Sequence, residues 1–132
     1  HRVPVSGASN AIKGDIIAKE DNLKLRIDAK YTISKERIKI RRESLEKIEY
    51  EAEDEEIPLV VFSFYRHRKL YCIVSSEFLS NEVEKKKNTW ARDTVLLKKN
   101  ELDILPMELE FKDDMKSYLI LELGNFMDIV RN

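Results

Sequence analysis

The chain has 132 residues, 42% of them hydrophobic and 37% charged, with a net charge of −1 at pH 7. That length bounds it to one domain, residues 1–132, whose core needs neither disulfide nor structural metal; three Gly and three Pro exclude long flexible linkers. The near-neutral balance hides an asymmetry: residues 1–42 carry eleven Lys or Arg against five Asp or Glu, an excess of +6, which leaves −7 for the rest, the pattern of one basic working face or of an unevenly charged solvated surface.

In chain order, Arg2 to Val5 reads as the end of a strand, and Ser6-Gly7-Ala8-Ser9-Asn10 as a loop by its small polar composition. Gly14–Ala18 enters a second strand, Asp21-Asn22 is a turn, and Leu23–Lys30 alternates apolar and polar residues, the period of a strand with one buried face. The two form a hairpin. Ser34 is placed to cap a helix running to about Asp54, with Ile38, Leu45, Ile48 and Ala52 on one face, a face suited to the core or to a dimer interface. Leu59–Phe64 and Leu70–Val74 are strands joined by a hairpin turn at residues 65–69. Beyond them, a short helix is expected within Ser76–Asn88, strands at Thr94–Lys98 and Ser117–Glu122, and a terminal helix at Gly124–Val130. The expected architecture is α/β, a mixed central sheet flanked by helices.

The residues that carry chemistry lie in the first hairpin. Residues i and i+2 of a strand project to the same side, so Asp28 and Lys30 point together. Hairpin pairing can bring Asp15 beside them. Two carboxylates in one place repel unless a cation neutralises them. Mg²⁺, or Mn²⁺ in its stead, suits such a site, since it is held by one or two carboxylates with waters and phosphate oxygens. A metal so placed can activate water and offset charge on a phosphodiester, and Lys30 can orient the attacking water or balance developing negative charge. The bland alternative is two strand-end carboxylates with an ordinary surface lysine.

The stretches "RVPVSGAS", "KGDIIA" and "LRIDAK" resemble the archaeal-type Holliday-junction resolvases, a branch of the PD-(D/E)xK nucleases, over about residues 2–75. Their R-x-P-x-S-G-type loop falls on Arg2, Pro4, Ser6 and Gly7, their first metal-binding acid on Asp15, and their acid-x-Lys on Asp28 and Lys30. The second acid is Asp where those resolvases usually have Glu, and residues 76–132 exceed the compact resolvase core. The resemblance implies a restriction-endonuclease-like fold and a metal held at Asp15, Asp28 and the main chain of Ala29. It also implies hydrolysis of branched DNA by a homodimer, because a four-way junction needs two paired cuts. The family's Glu-bearing helix before the first strand would precede His1. Other outcomes of the same resemblance are a restriction, repair or replication nuclease, and a catalytically silent nucleic-acid-binding protein.

Basic and polar residues around this hairpin suit a phosphate-rich ligand: Arg2, Ser6, Ser9, Lys13, Lys35, Arg37, Lys39, Arg41 and Arg42 are the candidate nucleic-acid contacts, against the alternative of a solvated face. His67 has no second His near it in sequence, so a zinc site is not expected. Trp90 is expected to pack in the core, with stacking on an unpaired base as the alternative. Cys72, the single cysteine, sits in an apolar run and reads as a small hydrophobe. With no apolar run near the ~18–20 residues that span a bilayer and no visible signal peptide, an intracellular protein without a membrane partner is expected.

Overall fold

The computed structural model describes residues 16–20, 23–79 and 83–131, with the side chains of the latter two stretches. Among these residues, nine strands and two α-helices follow in the order β1 (Ile16–Glu20), β2 (Leu23–Tyr31), β3 (Arg37–Arg41), α1 (Arg42–Glu51), β4 (Glu56–Ser63), β5 (Tyr71–Ser75), β6 (Lys87–Ala91), β7 (Thr94–Lys98), β8 (Met107–Phe111), β9 (Ser117–Glu122) and α2 (Leu123–Arg131). Seven strands form one mixed sheet in the order β1-β2-β4-β5-β9-β8-β6, while β3 and β7 make a separate two-stranded ribbon. β2 runs parallel to β4, and β6 parallel to β8; the remaining pairs are antiparallel. The expected α/β class is met.

Period-2 alternation divides the core into two layers. Val60 and Phe62 of β4, Tyr71 and Ile73 of β5, and Tyr118 and Ile120 of β9 face α1 and the ribbon. Leu59, Val61, Cys72, Val74, Leu119 and Leu121 face the opposite side, where α2 inserts Phe126. Helix α2 starts and ends within one residue of its expected span, and β7 and β9 lie where the sequence puts them. Cys72 is fully buried, as expected, and burial pushes its thiol pKa up.

The long helix expected from Ser34 to Asp54 is instead a turn, a strand and a ten-residue helix. The reason lies in Arg37-Ile38-Lys39-Ile40-Arg41: Ile38 and Ile40 are buried while the three cations are exposed, which is strand periodicity. The Ser34 hydroxyl does cap a local turn, accepting the N–H groups of Glu36 and Arg37 at 3.1 Å each. Ile38, Leu45 and Ile48 all belong to the core, which answers the choice between core and dimer interface. Where a helix is expected within Ser76–Asn88, the described residues show a 3-10 turn, Ser76–Phe78, and the start of edge strand β6. β6 and β8 are not among the expected strands. Trp90 sits on β6 and is 62% exposed, not packed in the core. The strand end at Arg2–Val5, the loop after it and the turn at Asp21-Asn22 lie outside the described residues.

Candidate active site

β2 is buried on one side only. Leu25 and Ile27 enter the α2 layer, while Lys24, Arg26, Asp28 and Lys30 occupy the other side. This polar row is internally paired. The Arg26 guanidinium donates to both oxygens of Glu56, at 3.0 and 3.3 Å. Lys24 reaches Glu55 at 3.4 Å. Lys30 Nζ lies 3.2 Å from Asp28 Oδ2, and both side chains keep solvent access, 38% and 25% respectively. Asp28 and Lys30 thus converge, as their i, i+2 spacing requires.

They also sit near the carboxyl ends of the parallel pair β2–β4, where Lys30 registers with Phe62. In open α/β sheets, ligands bind outside the carboxyl ends of parallel strands. Helix α1 lies in the connection between these two strands and packs against both.

Asp15 lies outside the described residues, as do Arg2, Ser6, Ser9 and Lys13. The backbone of β1 is described, and it pairs with β2 in the register Ile16 opposite Ile27. Among the described residues, no three His, Cys, Asp or Glu side chains come together as a metal-ligand group. Of the two carboxylates expected at a metal, Asp28 is the one among the described residues.

The basic candidates divide into two groups. Lys35 is exposed, and Arg37 and Arg41 stand on the outer face of the β3–β7 ribbon. Arg42 is already engaged: its guanidinium donates to the Lys112 carbonyl (3.1 Å) and to Asp114 (3.3 Å), and lies 5.7 Å from the Phe111 ring centroid. It holds α1 to the β8–β9 connection.

A cavity of about 400 Å³ opens elsewhere, lined by Glu36, His67, Lys69, Tyr71, Lys99 and Asp103. His67 Nε2 lies 2.9 Å from the Tyr71 hydroxyl, with the two rings nearly parallel. Tyr71 stacks in turn on Phe62, the partner of Lys30 in the sheet. The cavity and the Asp28–Lys30 pair therefore share one side of the sheet, two strands apart. Nothing in the sequence marks this arrangement, because its members come from four separate elements; only the four-residue spacing of His67 and Tyr71 across one hairpin hints at it.

No helix among the described residues is long and apolar enough to cross a membrane. No family model, curated protein or solved structure matches the chain.

Proposed function

We propose that this chain is a metal-dependent DNA endonuclease of the PD-(D/E)xK type, with Asp15, Asp28 and Lys30 at its active site. What carries this function is the convergence of Asp28 and Lys30, 3.2 Å apart and open to solvent, beside the carboxyl ends of a parallel strand pair. The register of β1 on β2, Ile16 opposite Ile27, supports a juxtaposition of Asp15 with Asp28 one residue further along. A restriction-endonuclease-like sheet is the finer fold that goes with this assignment.

A bound Mg²⁺ or Mn²⁺ supplies an activated water and charge neutralisation at the phosphodiester. Asp28 and Asp15 are the carboxylates that would hold it, with the Ala29 carbonyl as a third donor. Lys30 provides an ammonium group beside the reacting phosphate, where it offsets negative charge as the bond to the leaving oxygen breaks. Branched DNA is the preferred substrate implied by the resolvase resemblance, and paired cuts at a junction call for two copies of the chain.

The test is cleavage of a four-way junction and of linear duplex by the parent and by Asp28→Asn, with and without Mg²⁺ or Mn²⁺. The substitution keeps shape and removes one negative charge, so cleavage is lost while DNA binding is kept or strengthened. Equal cleavage by the variant overturns the site assignment. A parent that binds DNA and cuts nothing with either metal is instead a silent nucleic-acid-binding protein.

A further inference from the structure

The β3–β7 ribbon has one face in the core and one in solvent. Ile38, Ile40, Val95 and Leu97 are 5%, 1%, 3% and 2% exposed and fix the ribbon against the main sheet. They share one buried cluster with Val60, Phe62 and Ile73 of the main sheet, so the outer face is held on a packed support. That outer face carries Arg37, Lys39 and Arg41 from β3, opposite Lys98, Leu96 and Thr94 from β7. All six residues are exposed, and none of the four cations has an ion pair with a described residue.

We infer that the outer face of this ribbon, through Arg37, Lys39 and Lys98, binds the phosphate backbone of duplex DNA. It rests on the nucleic-acid substrate of the proposed function and adds the surface that holds it. Alternate residues of a strand are about 6.8 Å apart, so the β3 row spans about 14 Å. Phosphates recur every ~3.4 Å of axis along each DNA strand, so a row of that length meets several of them. A two-stranded ribbon also has the cross-section that a ~12 Å major groove admits.

Lys98 stands directly across from Arg37, which concentrates positive charge at that end. At the other end, Glu43, Glu46 and Asp93 line the cleft beside Arg41 and offset its charge. Arg41 is therefore the weaker contact. The contacts are cationic, and Thr94 and Leu96 offer little for reading bases, so binding is governed by backbone charge rather than sequence.

The experiment compares the full chain with the triple variant Arg37→Gln/Lys39→Gln/Lys98→Gln and with Lys24→Gln/Lys47→Gln, which removes two charges off the ribbon. Binding to a short mixed-sequence duplex is measured across about 50 to 200 mM salt, in EDTA so that cleavage does not interfere. Each phosphate contact contributes about 0.9 to the log–log salt slope, so the triple variant loses about 2.7 units. Over that fourfold rise in salt its affinity falls roughly 40-fold less than that of the parent. All substituted residues lie at the surface, and circular dichroism checks that the fold is kept.

Unchanged affinity and slope in the triple variant overturn the inference, as does a loss of equal size in the control. Binding of the parent to phosphatidylserine vesicles but not to DNA overturns it too, and assigns the face to an anionic membrane. Ribbon-dependent DNA binding without cleavage in Mg²⁺ or Mn²⁺ sustains the inference while the nuclease proposal fails. Metal-dependent cleavage with binding indifferent to the ribbon does the reverse.

Discussion

Lys30 Nζ and Asp28 Oδ2 are 3.2 Å apart on the same side of β2, and neither side chain is fully buried. Ion pairs with solvent access contribute about 0–1 kcal/mol to stability. Lys30→Ala is therefore expected to change the unfolding free energy by less than about 1 kcal/mol in urea titrations. If Lys30 serves the reaction, the same variant slows cleavage by roughly 10²- to 10³-fold, the usual cost of removing one group that stabilises developing charge. Large destabilisation with unchanged cleavage per folded molecule marks the pair as structural.

Two residues before Asp28 in β2, Arg26 pairs with Glu56 of β4 at 3.0 Å, and there the balance is opposite. Glu56 is 6% exposed. Burial alone would raise its pKa, but the Glu53 N–H at 2.8 Å and the Arg26 guanidinium outweigh burial and hold the carboxyl below its ordinary 4.5. The unfolded state then binds more protons than the folded state as pH drops past that value. The stabilisation is fully present above pH 4.5 and is lost as pH falls through the folded value. Glu56→Gln should flatten this acid limb. It should also cost on the order of 3 kcal/mol at neutral pH, because Arg26 keeps a largely buried charge without its partner.

The contrast between these neighbours explains what was legible in the sequence. The pairing of Asp28 with Lys30 is legible because i, i+2 spacing in a strand is a local rule. β7, β9 and α2 likewise carry apolar patterns that local rules decode. β3 is hidden in the sequence because Ile38, Leu45, Ile48 and Ala52 satisfy helical spacing together; only Ile40, buried beside Ile38, breaks the tie towards a strand. β6, with the sequence Lys-Asn-Thr-Trp-Ala, has no apolar alternation at all and owes its state to pairing with β8. Lys98 joins the ribbon face only through cross-strand register, which no local pattern encodes.

His67 offers a test of the cavity. Its imidazole pKa is held below the ordinary 6.5, first by burial and then by the ammonium groups of Lys99 and Lys69, which outweigh Glu122. The ring is therefore neutral at pH 7, and the Tyr71 hydroxyl, whose own pKa burial raises, stays protonated as its hydrogen-bonding partner. A titration of the His67 ring protons by NMR should give a midpoint below 6.5, and Lys99→Gln should move it upward. Because the unfolded chain takes up the proton first, this contribution to stability is complete above pH 6.5 and declines as pH falls through the folded value.

The decisive prediction concerns Asp15 together with Asp28. If each acid acted alone, as a strand-end carboxylate, removing both would have the summed effect of removing each. If they hold one ion between them, either single loss already deprives the site of its metal, and the second loss has nothing left to remove. Asp15→Asn, Asp28→Asn and the double variant should therefore share one residual cleavage rate, with DNA binding kept in all three. Calorimetric titration with Mn²⁺ should show a site in the parent that is absent from each variant. Three rates that multiply, or an Asp15→Asn protein that still cleaves and binds Mn²⁺ like the parent, would separate Asp15 from Asp28. The Ile16–Ile27 register would then describe an ordinary hairpin, and the second metal-binding acid would have to come from another element.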